Sequence, residues 1–600
     1  MSRRIQTPFH LVGLTGPLLA LAACEFNQGG PSDPGFVPPP PPPILPRPDV
    51  VRAEDPPPAI SGGTMAIGPD DRWLVAADPD RDQVYVVALD QDSMELVHTI
   101  ALESDVEPGR VVFTESSRAQ VALRNDRRLL TIDLAEGSIV EDRQTCPEPR
   151  GLTRDVDQTL VACASGELWW LSDGQEQPSR TRFLEPDLRD VVMSEAGPLV
   201  STFRLSKLIE LEEEPRVLDF DDSASVPARV AWRMRRFRSG EALILHQRAA
   251  GQGITVSVQE GGYGATQVVR EGGIGCSNGI VSTEISRVTA DGRISPLFGL
   301  FSSGLAVDMA VSDDGTRVAV ASPSESTVGA GGVTQARTNA ASNRFTCLGN
   351  TSRLLGSPSS VEFSRGGELF VLFREPARVV NLDRQRSLEL SEVSVADSGH
   401  QLFHAVTAAG VACASCHPEG RDDGHVWEFE GIGERRTQVL TGGIMDTAPF
   451  HWTGEFRSLN LLMGDVFSSR MGGGEVSSEQ IAALGAWMDT LRPLAPAELD
   501  GVQDVEAGRA IFHSASVGCA NCHDGPRLTG PGSFFVGTDG IFQVPPLEGL
   551  VYRAPFMHDG CAETLEARFA PPCGGGDAHG RTAQLTEDQL QKLTAYLRSL

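Results

Sequence analysis

A chain of 600 residues is too long for a single hydrophobic core and predicts several folded units. Its 80 acidic residues against 51 basic residues give a formal net charge of −29, which argues against nucleic acid or anionic lipid as a partner. Such a charge suits simple solubility, and it equally suits a basic electron-transfer protein as partner.

Residues 1–23 are predicted to be a bacterial signal peptide, because Arg3 and Arg4 precede an apolar run. The run ends in Leu21-Ala22-Ala23-Cys24, which resembles the lipobox at which bacterial lipoproteins are cut and lipidated. Lipid on Cys24 would anchor the mature chain in the cell envelope, facing the periplasm or the cell surface, and Glu25 favours the outer membrane. An ordinary secretory signal peptide is the alternative interpretation.

Residues 24–58 are predicted to be a lipidated cysteine followed by a proline-rich linker, with six consecutive prolines from Pro38 to Pro43. Proline-rich chain favours extended polyproline II, so this segment would hold the folded part away from the lipid. No other segment has the roughly 20 apolar residues that a membrane-spanning helix needs. The membrane is therefore expected to be reached only through the lipid anchor.

Short strands at regular spacing predict an all-β propeller over residues 59–395. An apolar run, a polar turn and a second apolar run recur seven times, and the first four turns are about 40 residues apart, the length of a four-stranded blade. The turns lie near Pro69, Thr114, Thr153, Ser194, Gly240, Ser312 and Ser364. We therefore expect seven blades, with an insertion around Cys276 between the fifth and the sixth; a pair of β-sandwiches is the alternative.

Two Cys-x-x-Cys-His motifs occupy the last third of the chain, and this is the attachment signature of c-type haem. The two thiols form thioethers with the porphyrin, and the histidine becomes the proximal iron ligand. Two covalent haem c groups are thus predicted, held by Cys413, Cys416, Cys519 and Cys522, with His417 and His523 as proximal ligands. Zinc knuckles or redox dithiols are alternatives, although structural zinc wants four ligands and a dithiol leaves both histidines unexplained.

The two haem motifs belong to a repeat with an offset of 106 residues, in which His417 corresponds to His523 and Gly454 to Gly560. Each copy ends in an amphipathic helix that opens with a capping box, at Ser477 and at Thr586. Residues 396–497 and 498–600 are therefore predicted to be two all-α cytochrome c domains. The expected fold class is multidomain, an all-β propeller followed by these two domains.

The segment from Arg553 to Gly560, with Thr564-Leu565-Glu566 after it, resembles the C-terminal half of bacterial dihaem cytochrome c peroxidases and related methylamine-utilisation dihaem enzymes. Thr447 to Gly454 resembles the matching segment of their N-terminal half. The resemblance covers about residues 396–600, and it implies that one haem relays electrons while the other reduces peroxide. It also implies a calcium ion between the two halves, whose ligands the sequence does not show.

Met471 and His579 fall at equivalent places, six and seven residues before the two capping boxes. They are the candidate distal ligands of the first and the second iron. A core methionine is the alternative for Met471, with Met463 as a rival ligand, and a surface loop is the alternative for His579. His558 is the candidate catalytic group near a distal face.

Arg470 stands where the peroxidases of this family usually carry a glutamate, and a guanidinium cannot accept a proton. We therefore predict a dihaem c-type cytochrome that transfers electrons to or from a soluble or membrane-bound redox protein. A cytochrome c peroxidase or peroxide-dependent oxidase is the alternative. The propeller would dock a partner or substrate, whose identity the sequence leaves open.

Six cysteines remain after the lipid and haem positions, an even number that suits an oxidising compartment. Cys561 and Cys573 lie in one short loop and are predicted to form a disulfide. Cys146 with Cys163, and Cys276 with Cys347, are the pairs left by elimination, although spacing alone does not fix connectivity.

Overall fold

A computed structural model gives the fold, and Val50–Leu600 form one compact unit. The structure describes residues 49–220, 226–238, 240–250, 253–256, 263–265, 279–300, 304–324, 330–338, 346–348, 352–495, 502–571 and 573–600. The predicted signal peptide, Cys24 and most of the predicted linker lie outside these residues, as does Cys276 with its predicted disulfide. None of the described helices is long and apolar enough to cross a membrane.

Strands dominate the chain as far as residue 389. In chain order they are β1 (Met65–Ile67), β2 (Trp73–Asp78), β3 (Gln83–Leu89), β4 (Met94–Ala101), β5 (Pro108–Glu115), β6 (Arg118–Leu123), β7 (Arg128–Asp133), β8 (Ser138–Gln144), β9 (Pro149–Asp155), β10 (Gln158–Cys163), β11 (Glu167–Ser172), β12 (Arg180–Phe183), β13 (Leu188–Met193), β14 (Pro198–Thr202), β15 (Leu208–Leu211) and β16 (Pro215–Leu218). The series continues with β17 (Ala228–Phe237), β18 (Glu241–Ala249), β19 (Ile254–Val256), β20 (Tyr263–Ala265), β21 (Val281–Val288), β22 (Ile294–Leu300), β23 (Asp308–Val311), β24 (Arg317–Ser322), β25 (Ala330–Arg337), β26 (Thr346–Leu348), β27 (Ser352–Leu355), β28 (Pro358–Phe363), β29 (Leu369–Phe373), β30 (Arg378–Asn381) and β31 (Arg386–Glu389).

In the described residues these strands, apart from β19 and β20, form seven successive sheets, each built around an antiparallel meander. Six have four strands, namely β1 to β4, β5 to β8, β9 to β12, β13 to β16, β23-β24-β25-β27 and β28 to β31. The fifth, β17-β18-β21-β22, gains β26 as a parallel neighbour of β22. The seven predicted turns all fall at or beside the connection between the first two strands of a sheet.

The seven sheets close into a ring through their first strands. The strands β1, β5, β9, β13, β17, β23 and β28 contact one another in succession, and β1 contacts β28 in turn. Successive side chains along a strand point to opposite faces of its sheet, so each strand packs against both neighbouring sheets. On β2, Leu74 packs in a core with Phe370 of the seventh sheet, whereas Val75 packs in a core with Val111 of the second. The predicted seven-bladed, propeller-like fold is confirmed, but the insertion around residue 276 lies within the fifth sheet, between β18 and β21, and not between the fifth and the sixth.

The remainder of the chain mixes short helices, strands and turns. The α-helices are α1 (Ser398–His404), α2 (Cys413–Cys416), α3 (Leu459–Leu462), α4 (Ser478–Met488), α5 (Val502–Phe512) and α6 (Glu587–Arg598). The strands are β32 (Val426–Phe429), β33 (Gly433–Arg436), β34 (Ser533–Phe535) and β35 (Ile541–Gln543). A π-helix spans Met463–Arg470, and 3₁₀ turns span Pro418–Gly420, Ile444–Thr447, Cys519–Asn521, Leu550–Tyr552, Ala567–Phe569 and Cys573–His579.

The two helices that close the repeats begin at the predicted capping boxes. The side chain of Ser477 accepts from the backbone of Gln480, and Thr586 does the same with Gln589. α1 packs on α4, and α5 packs on α6. Glycine allows the close approach in the second pair, because a Cβ on Gly508 would lie 1.9 Å from a main-chain oxygen of α6.

The prediction of two all-α domains is wrong. β32 and β33 pair with each other, and β32 pairs in parallel with β19 from the insertion in the fifth sheet. β34 and β35 form a hairpin inside the second repeat. The capped helices that end the repeats led to the prediction of all-α domains. The segments before these helices contain paired strands, and one of these strands pairs with a strand far away in sequence.

The ring and the C-terminal part of the chain share a hydrophobic core, and the predicted domain bounds remain a prediction. One hydrophobic core contains Trp232 and Leu245 from the ring together with Phe403 and Trp487 from the first repeat. Burying both sets in a single core joins the ring to the C-terminal part, so the contacts give one compact unit.

The last residues of the predicted linker are bound to the folded part. The backbone N–H of Val51 donates to the Ser398 hydroxyl at 3.0 Å, and the Trp487 indole donates to the carbonyl of Pro57 at 2.8 Å. Further on, Ile60 donates its N–H to Nε2 of His404 at 3.2 Å. The chain therefore reaches the ring only after contacting α1 and α4.

Candidate haem-binding sites

Four cysteines are free in the described part of the chain, namely Cys413, Cys416, Cys519 and Cys522, and all four are half-buried. The first two begin and end α2, and Cys519 opens the 3₁₀ turn that ends just before Cys522. Disulfides join Cys146 to Cys163 and Cys561 to Cys573. The thiols available for thioether bonds are thus those of the two haem motifs.

The histidine of each motif is held in the tautomer that a metal ligand requires. Nδ1 of His417 lies 3.1 Å from the carbonyl oxygen of Arg421, and Nδ1 of His523 lies 2.9 Å from that of Leu528. A carbonyl only accepts, so Nδ1 carries the proton and the Nε2 lone pair is left for a metal. Burial lowers the pKa of both imidazoles to about 4, which keeps them neutral at physiological pH.

A cavity of about 450 Å³ opens beside the second motif, a size typical of cofactor sites. Cys519, Cys522 and His523 line one side of it, and His579 lines another. Most of the remaining wall is apolar and includes Phe512, Phe542, Val544, Phe556, Leu593 and Leu597. Such a lining fits the flat, largely apolar face of a porphyrin.

His523 and His579 face each other across this cavity, with ring centres 6.3 Å apart and ring planes inclined by 35°. A metal–imidazole bond of about 2.0–2.1 Å, with the ring centre about 1.1 Å behind the nitrogen, places the ring centres of two imidazoles on one ion about 6.2–6.4 Å apart. The Nδ1 atom of His579 is buried without a hydrogen-bond partner among the described residues. The pair is therefore spaced for a single metal ion, with one ring nitrogen of His579 unsatisfied.

Glycines and a disulfide position His579. It ends the segment Cys573–His579, in which Gly574 and Gly575 have φ values of 82° and 73°, a left-handed conformation that favours glycine. A Cβ on Gly575 would lie 1.7 Å from the carbonyl oxygen of Val536. The Cys561–Cys573 disulfide fixes the start of the segment, and Arg568 donates to the carbonyl of His579 at its end.

The first motif lies against the large core shared with the ring. Cys413 and Cys416 pack on that core, which also contains Met471 and Met463. The Met471 side chain is 7% exposed, and its role as distal ligand remains a prediction. His451 lies close enough to His417 for its charge to contribute to the lowered pKa of that imidazole, after burial and other groups.

The two repeats share a loop whose geometry repeats at the predicted offset. An isolated bridge joins Phe450 to Phe456 in the first copy, and the equivalent bridge joins Phe556 to Ala562 in the second. The residue after each first phenylalanine is left-handed, with φ of 66° at His451 and 74° at Met557. The shared sequence therefore encodes the same turn in both repeats.

His558, the candidate catalytic group, lies in the wall of the second cavity. Its ring stacks on Phe542 at 3.9 Å between centres, and its side chain is 6% exposed. Burial lowers its pKa, so the ring is neutral at physiological pH. A catalytic role for His558 remains a prediction.

Glu419, which the sequence did not single out, anchors the first motif to the ring. Its carboxylate lies 2.6 Å from a guanidinium nitrogen of Arg189, 2.9 Å from one of Arg124 and 3.7 Å from one of Arg150. Arg150 lies on β9, Arg189 on β13, and Arg124 directly after β6. Burial would raise the pKa of Glu419, but the arginines hold it well below its ordinary value.

This anchor was missed because its partners are more than 200 residues away, and no local pattern marks such a pair. Glu419 follows His417 by two residues and has a left-handed φ of 53°, so the turn delivers the carboxylate into the ring. A second contact also holds the first motif to the ring, because the hydroxyl of Ser415 donates to the carbonyl of Gly304 at 2.6 Å.

Within the described ranges, no cluster of three or more His, Cys, Asp or Glu side chains is placed to hold a metal ion. A haem iron takes four ligands from the porphyrin and needs only one or two from the protein. The two motifs therefore fit haem by their cysteines, their histidine tautomers and, at the second site, the cavity. The calcium ion implied by resemblance remains a prediction.

Comparison with known proteins finds a different relative from the one suggested by the sequence motifs. No protein-family profile matches the chain. Hydrazine synthase subunit gamma from Kuenenia stuttgartiensis is 27% identical over 257 residues, covering 32% of this chain and 72% of that protein. The identification with dihaem cytochrome c peroxidases and methylamine-utilisation enzymes is therefore wrong. It rested on the segment around Pro555, which the structure shows to be a repeated turn.

Two solved structures show a partial likeness to the chain. A chain of hydrazine synthase from Kuenenia stuttgartiensis has a TM-score of 0.42 at 13% identity, over 57% of this chain and 97% of that chain. Virginiamycin B lyase from Staphylococcus aureus has a TM-score of 0.37 at 10% identity, over 52% of this chain and 92% of that chain. With TM-scores below 0.5, neither likeness bears on function.

Proposed function

We propose that this chain is a c-type cytochrome with two covalently bound haem groups that transfers electrons in the cell envelope. The observation that carries the proposal is the pair His523 and His579, facing across an apolar cavity beside Cys519 and Cys522. Two neutral imidazoles at this distance would both be able to hold one haem iron.

Each group at the second site has a separate task. Cys519 and Cys522 would hold the porphyrin by thioether bonds, and His523, oriented by the carbonyl of Leu528, would bind the iron from one side. His579 would occupy the opposite side and leave no open position for a substrate. The haem would supply a one-electron redox centre, and the apolar wall would exclude water from it. This arrangement favours electron transfer over substrate chemistry at this iron.

The first site would hold its haem through Cys413, Cys416 and His417, with Met471 proposed as the distal ligand. A sulfur ligand raises the potential of a haem relative to one with two histidines. Glu419 would fix this haem relative to the ring, two residues beyond its proximal ligand. The two sites would thus differ in potential, as a relay requires.

The envelope location rests on cysteine chemistry. Disulfides persist in oxidising compartments, and the described residues contain two of them. We propose that Cys24 carries the lipid, that the chain lies at the outer membrane facing the periplasm or the cell surface, and that a soluble or membrane-bound redox protein is the partner. The charge of −29 favours a basic surface on that partner.

The test is to produce the full chain with the cytochrome c maturation machinery and to determine its mass, haem content and spectra. Two covalent haems are expected, with a low-spin second haem that does not bind carbon monoxide. His579→Ala should open one iron, giving a high-spin signal and carbon monoxide binding, whereas His513→Ala, at an exposed histidine, should change neither. A wild-type chain without covalent haem would refute the proposal.

The relative raises a second candidate, a subunit of an enzyme that makes hydrazine. The observation in its favour is the 27% identity, which extends over 72% of hydrazine synthase subunit gamma. The two candidates separate in one assay, because an electron-transfer protein alone forms no hydrazine. Hydrazine production by the purified haem-loaded chain, lost in His579→Ala, would replace the first candidate with the second.

A further inference from the structure

An excess of buried positive charge lies in the wall of the second cavity. Arg436 and Arg553 line the cavity and are only 4% and 8% exposed, and the buried Arg204 lies behind them. The nearby carboxylate of Asp422 accepts from Arg204 at 3.0 Å and from Arg436 at 3.0 Å. Asp422 is therefore the carboxylate that the three guanidinium groups share, and Glu548 adds a weaker negative charge near Arg553. The carboxyl of Asp423 also interacts electrostatically with Arg436. It offsets the excess positive charge only in part, because burial raises the pKa of Asp423 to about 7.

Arg553 has main-chain oxygens as its hydrogen-bond partners. Its guanidinium donates to the carbonyl of Pro546 at 2.5 Å and to that of Glu548 at 3.3 Å. The Nε atoms of Arg436 and Arg553 are buried and make no hydrogen bond among the described residues. Buried cations are costly unless they are paired with negative charge. The cavity therefore has a wall that is prepared for an anion.

The position of this wall relative to the cysteines identifies the anion. The two thioether positions of a c-type haem lie on the edge of the porphyrin opposite to its two propionates. Arg568 and Arg581 lie at the cysteine edge, because Arg568 acts on the Cys519 thiol and Arg581 lies 3.8 Å from where a Cβ on Gly518 would be. Arg436 and Arg553 lie in another part of the wall, because Arg553 donates to the carbonyl of Pro546 and the N–H of Arg436 donates to the carbonyl of His558.

We propose that Arg436 and Arg553 form a carboxylate-binding site that receives the two propionates of the second haem. The inference rests on the proposed function, since it presupposes haem on Cys519 and Cys522. A guanidinium presents a fork of N–H donors that matches a carboxylate, and this pairing is strongest where water is excluded. The same two arginines hold the cavity wall together, because Arg436 donates to the carbonyl of Arg553 at 2.6 Å.

The experiment uses the full haem-loaded chain and two measurements. Carbodiimide with a small amine labels accessible carboxylates, and mass spectrometry of the peptide containing Cys519 to His523 reports whether the haem has gained mass. Wild type is expected to stay unlabelled. Arg553→Gln and Arg436→Gln should each become labelled, and their equilibrium constant for reduction at the second haem should fall about tenfold, a shift of 59 mV for one electron.

Arg581→Gln is the matched control, since it removes an arginine from the same cavity at the cysteine edge. Its haem is expected to stay unlabelled, and its equilibrium constant for reduction at the second haem is expected to stay within a factor of two of wild type. If Arg553→Gln does not fold, Arg553→Lys, which keeps the charge without the fork, should give intermediate labelling. Unlabelled haem in both glutamine variants, or wild-type labelling equal to theirs, overturns the propionate site while the haem proposal stands. Wild type without haem on Cys519 and Cys522 overturns both, and this is seen before any variant is made.

Discussion

Replacing Glu419 with glutamine removes the one carboxylate that Arg124, Arg150 and Arg189 share. Glutamine keeps the shape of the side chain and can accept a hydrogen bond, but its amide nitrogen then faces guanidinium groups that can only donate. Removing one partner of a buried ion pair costs about 3–5 kcal/mol, because the remaining charges stay buried and uncompensated. All four residues are at most 8% exposed. Arg150 keeps a second carboxylate in Asp187 at 2.7 Å, whereas Arg189 loses the carboxylate it pairs with, so the loss comes mainly from Arg189.

This loss translates into a measurable change in melting temperature. Unfolding entropy is about 2.1 cal/mol/K per residue, and Val50–Leu600 form one compact unit. If that unit unfolds in one transition, Glu419→Gln lowers Tm by about 3–4 °C at neutral pH. Urea titration followed by circular dichroism, at fixed haem content, measures the same loss as a shift in midpoint without a change in slope.

The lowered pKa of Glu419 determines how its contribution to the free energy of unfolding changes with pH. The pKa of Glu419 is held well below its ordinary value of 4.5, so its charge stabilises the fold fully above the unfolded pKa. That contribution is lost as pH falls below 4.5 and through the folded pKa. The difference between wild type and Glu419→Gln is therefore constant from pH 6 to 8 and shrinks in acid.

A surface pair provides the control for this experiment. Glu115 lies 3.4 Å from Arg118, and both side chains are about half exposed. Glu115→Gln should cost less than about 1 kcal/mol, as exposed pairs do. If Glu419→Gln is no more destabilising than Glu115→Gln at pH 7, the carboxylate does not anchor the first motif, and the reasoning from burial is refuted.

Three further predictions follow from single contacts. Replacing Cys561 and Cys573 by serine should cost about 3 kcal/mol, as closing a loop of this length does, and should release His579, so that the low-spin signal of the second haem weakens in electron paramagnetic resonance; an unchanged spectrum would show that the disulfide does not position the histidine. Gly508→Ala should destabilise by more than about 2 kcal/mol in urea, because its new Cβ would meet a main-chain oxygen of α6; a neutral result would mean that α5 and α6 separate freely. Met471→Leu should abolish the near-infrared methionine–iron band in magnetic circular dichroism, and a wild-type spectrum lacking this band would exclude Met471 as the ligand.

The ring and the helix starts were predictable because their signals are local. Each turn near Ser312 or Ser364 joins two strands that are neighbours in sequence, so the apolar pattern alone identifies them. The capping boxes at Ser477 and Thr586 satisfy backbone groups of their own helices. His579 was found in the same manner, by counting back from a helix start.

The contacts that unite the molecule were not predictable from local pattern. The pairing of β32 with β19 joins segments about 175 residues apart, which the register Ile254 with Phe429 shows. The ion-pair partners of Glu419 depend on which surfaces the fold brings together. The same is true of the excess positive charge at Arg436 and Arg553. A single sequence records the charges but not the distances between them, and a short motif shared with another family can encode only a turn.

The core that Trp232 shares with Trp487 determines how the molecule would come apart. The segment joining ring and C-terminal part is accessible, with Val393 64% exposed, so a protease could cut it. After cleavage there, the two fragments would stay associated through the shared apolar core and through the ion pairs of Glu419. On a sizing column in native buffer such a nicked protein would still migrate as one particle, and neither fragment would be a free-standing module.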